Sequence, residues 1–310
     1  MEGAELQDIT NIDRMKNRTA VAMGFFDGLH IGHRAVVKEA TSYRDRGLAS
    51  TVLTFDSLSS LSKLSNGDRI LFDDLKYKML EDIGIENIYR PDFKEIKDMT
   101  AGDFVKEILA QKLNAKVVIC GFDFRFGRGA SGDTDLLKEL CAQYDIEVIV
   151  IPAIYVDGMI ASSTKIREFI KSGEIDRANS LLGYDFNFQL EVVHGRKFGR
   201  IINAPTINQI LPEMMILPKF GVYSSTTIVD GTEYLSITNI GMNPSIGKNK
   251  VPQAETHIID YEGDLYGEFI NVALTGFIRG ELKFNSIDEL AKRIQQDIES
   301  VKKINCERML

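Results

Sequence analysis

Two histidines three residues apart, His30 and His33, stand among glycines in the stretch VAMGFFDGLHIGHR at 21–34. Residues 20–23 form a short apolar run, Gly24 turns the chain, Asp27 supplies an acid, Gly28 and Gly32 turn it again, and a helical pattern begins. That order predicts a strand, a tight loop and a helix start. The first N–H groups of a helix lack partners in the chain, and the helix dipole places partial positive charge there, so such loops bind phosphate. Imidazoles at i and i+3 can share one side of the helix entrance, where their N–H groups would stabilise charge developing on a phosphoryl group. Neither ring has to act as a nucleophile. Two of the chain's four histidines fall within these four residues, which separates the pattern from surface histidines on an ordinary loop.

Four further stretches could do chemistry. In GFDFRFGRGASGD, 121–133, phenylalanines 122, 124 and 126 alternate with Asp123, Arg125 and Arg128, a pattern that packs rings inward or against a flat ligand while offering charge to phosphates. In ASSTKIR, 161–167, Ser162 or Ser163 can cap a helix whose first turns then carry Lys165 and Arg167. Cations at a helix start oppose the dipole, so an anion is expected there. HGRKFGR, 194–200, is a glycine-punctuated basic loop, and APTIN, 204–208, offers a hydroxyl and an amide suited to Mg²⁺ or phosphate, although Pro205-Thr206 also reads as a strand entrance.

The elements that must position these residues follow from periodicity. Helices are predicted over 34–46, 75–83, 100–113 (capped by Thr100) and 173–183, and strands over 20–23, 48–55, 115–120 and 146–151. Nearly uniform apolar strands alternating with helices call for a parallel sheet covered on both faces, with its ligand crevice outside the carboxyl ends of the strands. The loops 24–33 and 121–129 both follow strands and should face one site. From Phe186 the period changes to two: strands at 186–193, 220–229, 233–240, 254–260 and 268–278, with turn signals at Asp230-Gly231 and Glu262-Gly263, predict an antiparallel barrel or sandwich. A final helix opens on a capping box of Ser286 and Glu289 and repeats Leu290, Ile294, Ile298 and Val301 along one face.

A chain of 310 residues favours two domains, and 44% hydrophobic with 26% charged residues is ordinary globular composition. No apolar run approaches the roughly 18 residues of a membrane span, and the opening MEGAELQDITNID is acidic and polar, unlike a signal peptide, so a cytoplasmic protein with no membrane partner is expected. The three cysteines, 120, 141 and 306, suggest neither a disulfide framework nor a zinc site. A net charge of −8 argues against a nucleic-acid partner.

GFFDGLHIGH resembles the G-x-F-D-x-x-H-x-G-H signature of nucleotidyltransferases, and its Phe26-Asp27-Gly28 is most similar to the bifunctional riboflavin kinase and FMN adenylyltransferase (FAD synthetase) family. Gly121, Asp123, Phe124, Phe126 and Gly127 match that family's G-x-[DN]-F-x-F-G block, and Ser162, Ser163, Thr164 and Arg167 its S-S-T-x-I-R block. The second half resembles riboflavin kinases through the G-R-x-x-G-x-P-T-x-N region, and also at Gly221-Val222-Tyr223, Asn239-Ile240-Gly241, Leu265-Tyr266-Gly267, Arg279 and Lys283-Phe284.

The resemblance implies an α/β chain with a Rossmann-like nucleotidyltransferase domain at 1–184 and an antiparallel β-barrel kinase domain with a terminal helix at 185–310. It implies that ATP, riboflavin and FMN are substrates, that FAD is a product, and that Mg²⁺ is required. In the first domain His30 and His33 would be catalytic, Gly24, Phe26, Asp27, Gly28, Asp123, Ser162, Ser163, Thr164 and Arg167 would bind nucleotide, and Phe124 and Phe126 would bind flavin. In the second, Glu255 would be the base toward the ribityl 5′-hydroxyl, Gly195, Arg200, Thr206 and Asn208 would bind nucleotide, Thr206 and Asn208 would hold the metal, and Arg279 would contact flavin.

Departures from the family pattern stand at Asp56-Ser57-Leu58, Asn203-Ala204 and Ser245. They bear on the kinase more than on the adenylyltransferase. The alternatives they leave are adenylyl transfer alone with a kinase-inactive flavin-binding barrel, and a flavin-sensing regulator without turnover.

Overall fold

The computed structural model describes residues 5–55, 68–195, 204–244 and 250–308. The chain divides into two compact units, 1–163 and 164–310.

The first unit is built on six strands: β1 (Gln7–Asp8), β2 (Thr19–Met23), β3 (Ala49–Leu53), β4 (Asn87–Tyr89), β5 (Ala115–Gly121) and β6 (Glu147–Ile151). They lie in the order β1-β4-β3-β2-β5-β6, and every pair is parallel. Its helices are α1 (Ile31–Ser42), α2 (Asp73–Ile83), the short α3 (Phe93–Ile96) and α4 (Ala101–Asp103), and α5 (Thr134–Ala142). From α4 a wide π-type winding continues over Phe104–Lys112 and turns Phe104, Val105, Ile108 and Leu109 inward.

The uniform apolar strands are explained by burial on both faces. Along β2, Ala20 and Ala22 pack with Val36, Val37 and Leu80 on one side, while Val21 and Met23 pack with Leu109, Val118 and Cys120 on the other. The first helix begins three residues before the predicted 34–46 because His30 caps it: the His33 N–H donates to His30 Nδ1 at 3.4 Å. It ends at Ser42, and a 3₁₀ turn over Tyr43–Arg46 completes the predicted span. Thr100 caps α4 as expected, its Oγ1 accepting the Asp103 N–H at 3.1 Å. A two-stranded hairpin, β7 (Tyr155–Val156) and β8 (Met159–Ile160), was not anticipated.

In the second unit α6 (Ser163–Ser172), whose first residue still belongs to the first unit, and α7 (Ile175–Leu182) precede the strands. These are β9 (Asn187–Glu191), β10 (Ile207–Ile210), β11 (Gly221–Val229), β12 (Thr232–Pro244), β13 (Lys250–Ile258) and β14 (Phe269–Arg279), followed by α8 (Ile287–Arg308). The sheet runs β10-β13-β12-β11-β14-β9 with every pair antiparallel. Its two edges meet. The Val193 N–H donates to Asn208 O at 2.8 Å, and Gln209 Nε2 donates to Leu190 O and Ile270 O at 2.8 Å each, which curls the sheet into a barrel.

Its interior carries a row of buried hydroxyls. Thr256, Thr238, Ser225, Ser236 and Thr227 hydrogen-bond one to the next at 2.8–2.9 Å. Each hydroxyl both donates and accepts, so the row satisfies itself. Helix α8 covers the outer face through Ile298 and Val301, which pack on Val222, Ile237 and Ile259. Its Ser286 Oγ accepts the Glu289 N–H, while the Glu289 carboxylate reaches back to the Asn285 N–H, one residue beyond the capping-box partner.

Candidate active sites

Loop 24–30 leaves the carboxyl end of β2 in a strained conformation. Phe26, Gly28 and Leu29 have φ of 54°, 76° and 33°. Positive φ at two non-glycine residues costs energy and persists only where the surroundings impose it, which is common at ligand sites. Here Phe26 and Leu29 are buried in the core, and three bonds fix Asp27: its carboxylate accepts the N–H groups of Ile70 and Leu71 at 3.2 and 3.3 Å, and its carbonyl accepts the Ser163 hydroxyl at 2.9 Å. The expected nucleotide-loop residues Asp27 and Ser163 are therefore joined, with Asp27 acting as the brace of the loop.

The strained loop delivers the histidines. The His30 and His33 rings stack with centroids 3.6 Å apart and planes 22° from parallel, and the Phe26 ring meets His33 edge to face at 5.4 Å. Gly32 eases this approach: a Cβ there would lie 3.1 Å from His30 Cε1, tighter than an ordinary contact. Because His30 Nδ1 accepts a backbone N–H, the neutral ring carries its proton on Nε2. Both histidines stand at the positive end of α1.

Loop 121–133 follows β5, the direct neighbour of β2 in the sheet. Asp123 and Phe122 are exposed at its start, and Asp123 Oδ1 lies close over Gly121. Phe126 is buried against Phe104 and Gly132, exchanging backbone hydrogen bonds with Gly132 at 3.2 and 2.9 Å, and Phe124 stacks on it at 6.0 Å. Of the two packings the sequence allowed, Phe126 takes the inward one; it anchors the loop that presents Asp123. Asp133 caps α5, and the backbone N–H groups it accepts hold its carboxyl below the usual range. Ser162 precedes α6, and Thr164 and Arg167 lie on it within the second unit.

In the barrel, Thr206 and Asn208 line a cavity of about 400 Å³ with Thr256, Tyr261, Tyr266 and Asp264. Pro205 is held by its carbonyl contact with His257 Nδ1 at 2.9 Å. Gly195 backs directly onto the Asn208 amide, where a Cβ would fall 2.5 Å from Cγ. Glu255 stands opposite Asn208 in the β10–β13 register, and next to Asn239 on β12. Paired positions share a sheet face, so Glu255 lies on the same face as Asn208, one of the two residues expected to hold the metal.

Arg279, expected to contact flavin, makes an ion pair within the second unit. Its Nε and Nη2 bond the carboxylate of Asp297 on α8 at 2.7–3.2 Å, so the guanidinium ties β14 to the helix. Arg200, Asn203, Ser245 and residues 56–58 lie outside the described residues. Two features of the barrel site were missed. Pro205-Thr206 was read as offering a strand entrance, but β10 itself was not among the predicted strands, and Tyr266 was noted in a matching block without a role; its ring packs on His194 at 4.0 Å.

Among the described residues no group of three His, Cys, Asp or Glu is placed to hold a metal. Thr206 and Asn208 supply a hydroxyl and an amide oxygen at one cavity wall. Mg²⁺ prefers hard oxygen, keeps several waters and is commonly carried by one or two protein oxygens plus substrate phosphates. The donor set fits that mode.

A parallel α/β unit with stacked histidines at a helix start, followed by a barrel with a Thr/Asn-lined cavity, defines a two-unit phosphoryl- and nucleotidyl-transfer architecture. The chain matches the FAD synthetase family model over residues 12–165 and the riboflavin kinase model over 182–305. It is 34% identical over 284 residues to a bifunctional riboflavin kinase/FMN adenylyltransferase of Listeria monocytogenes, covering 89% of each chain, and 32% identical over 300 residues to one of Escherichia coli, covering 94% and 95%. A crystal structure described as a macrolide-efflux protein from Streptococcus pneumoniae superposes with a TM-score of 0.86 at 29% identity, over 96% of this chain and 99% of that one. No helix among the described residues is long and apolar enough to cross a membrane. The chain belongs to the bifunctional riboflavin kinase/FMN adenylyltransferase family.

Proposed function

We propose that this chain makes FAD from riboflavin in two ATP-dependent steps. The barrel transfers the γ-phosphoryl of ATP to the ribityl 5′-hydroxyl of riboflavin, giving FMN, and the α/β unit transfers AMP from ATP to the FMN phosphate, releasing pyrophosphate. The observation that carries this reading is the stacked pair His30 and His33 at the start of α1, inside the segment that matches FAD synthetases.

In adenylyl transfer the FMN phosphate attacks the α-phosphorus in line, and no covalent intermediate is needed. His30 and His33 stabilise the negative charge that develops there, the α1 N-terminus adds its partial charge, and Ser163, Thr164 and Arg167 hold the phosphates. In the kinase step Glu255 accepts the 5′-hydroxyl proton, while Thr206 and Asn208 hold the nucleotide phosphates together with Mg²⁺. When bound, the ion offsets charge on the triphosphate. The two functions divide near Tyr184, a boundary consistent with family matches ending at 165 and resuming at 182. A cytoplasmic setting is supported by the free thiols of Cys120, Cys141 and Cys306.

The test is a chromatographic time course of the protein with ATP, Mg²⁺ and either riboflavin or FMN. FAD is expected from both mixtures, with FMN appearing first from riboflavin. FAD from FMN alone would leave the barrel as a flavin-binding module, and FAD from neither would refute the reading.

A further inference from the structure

The first unit buries a cation that has no ion pair among the described residues. Arg69 is 5% exposed, and among the described residues its Nε and Nη2 have no hydrogen-bond partner. Arginine does not neutralise by losing its proton, so a buried guanidinium requires an anion or several acceptors. The same unit shows what a partnered cation looks like: Lys76, equally buried, bonds Asp73 at 2.8 Å. Among the described residues Arg69 has no such carboxylate.

Its place in the fold suggests what completes it. Arg69 immediately precedes Ile70 and Leu71, the residues whose amides hold the Asp27 carboxylate, and the Ile70 side chain packs over Gly28, where a Cβ would lie 3.0 Å from it. The segment carrying Arg69 is thus bolted to the loop that presents His30. A buried double donor without a partner among the described residues, on the residue next to those that brace this loop, suits phosphate oxygens, which guanidinium binds in a fork.

We infer that Arg69 is a phosphate-binding residue of the adenylyltransferase site, its guanidinium completed by a phosphate of FMN or of ATP. This rests on the adenylyl-transfer reading of the first unit. Nothing in the sequence patterns marks Arg69, since it stands outside every motif.

The experiment compares wild type with Arg69→Met, which keeps length and loses charge, and Arg69→Lys, which keeps charge and loses the fork. Measured are KM for FMN and for ATP in FAD formation, riboflavin phosphorylation as a control in the same chain, and thermal unfolding with and without pyrophosphate. The Met variant is expected to unfold at the same or a higher temperature without ligand, because an unpaired buried charge is gone, to lose pyrophosphate protection, and to drop about 10- to 100-fold in kcat/KM for FAD formation. The Lys variant recovers part of that loss. The substrate whose KM rises identifies the phosphate. A Met variant with unchanged KM values and unchanged pyrophosphate protection overturns the inference, whatever its stability. Wild type that forms no FAD yet gains pyrophosphate protection through Arg69 would keep the anion site and remove the assigned reaction.

Discussion

The imidazoles of His30 and His33 lie face to face, 3.6 Å between centroids, and one of them is also the cap of α1. His30 therefore has two separable duties. Replacing either histidine by alanine is expected to slow FAD formation from FMN by about 10²- to 10⁴-fold. His30→Asn keeps a side-chain acceptor for the helix start, so its stability should stay near wild type while its FAD formation falls like that of His30→Ala. His30→Ala should additionally lose about 1 kcal/mol of stability. Parallel rate and urea-unfolding measurements on the three variants check this, and an active Asn variant would reduce His30 to a cap.

Gly32 faces the His30 ring so closely that a methyl group there would lie 3.1 Å from Cε1 and the ring would have to shift by a few tenths of an ångström. Gly32→Ala should displace the ring within the stack while α1 gains helix propensity. The expected result is FAD formation slowed about 10-fold with little change in unfolding temperature. The readout is kcat for FAD synthesis beside a melting curve; an undiminished kcat would show that the stacked arrangement is dispensable.

Gly195 plays the corresponding part in the barrel, where its bare Cα leaves space for the Asn208 amide. Gly195→Ala must displace that amide from the cavity wall it shares with Thr206. Phosphorylation of riboflavin is expected to fall about 10²-fold, while FAD formation from added FMN is unchanged. Separate assays of the two steps on one preparation decide it, and equal loss in both would point to general misfolding.

How far these positions were legible in the sequence depends on the range of the forces that fix them. The parallel sheet could be read from residues 20–23 and 115–120 because burial on both faces leaves continuous apolar strands. The paired histidines could be read because glycines and a helix start are local signals. Short strands such as β4 and β10 were not legible: three or four residues carry too little periodicity, and their partners are distant in sequence. The inward turn of Phe126 depends on Phe104 and Gly132, and the engagement of Arg279 depends on Asp297, eighteen residues later on a helix. Neither partner follows from local pattern.

Asp297 is 2% exposed and receives both Arg279 and, at 3.2 Å, Arg293 Nε. Asp297→Ala would leave a largely buried guanidinium without its anion, which typically costs about 3–5 kcal/mol. The expected outcome is a marked loss of stability in the second unit, with riboflavin phosphorylation failing on mild heating before FAD formation from FMN does. Arg279→Met should be milder, since Asp297 keeps Arg293. Urea titration with step-specific activity follows both, and a more damaging Arg279→Met would return a direct substrate role to that residue.

The three thiols should separate sharply. Burial pushes Cys120 and Cys141 up to about 12, whereas Cys306 is exposed on α8. Thiolate is the reactive form, so iodoacetamide at neutral pH should label Cys306 alone in the folded protein, as mass spectrometry of the digest would show. The same shifts set an alkaline limit. A thiol whose pKa is raised by folding stays protonated in the native state while the unfolded chain ionises above its ordinary value of 9.0. Stability from these groups is thus complete below pH 9 and declines as pH rises toward 12, with Tyr89, also raised to about 12, adding to the upper part of that window. Cys120→Ala/Cys141→Ala should flatten the alkaline limb of an unfolding titration while lowering stability at neutral pH through lost packing. An alkaline limb as steep as that of wild type would mean that other groups govern it.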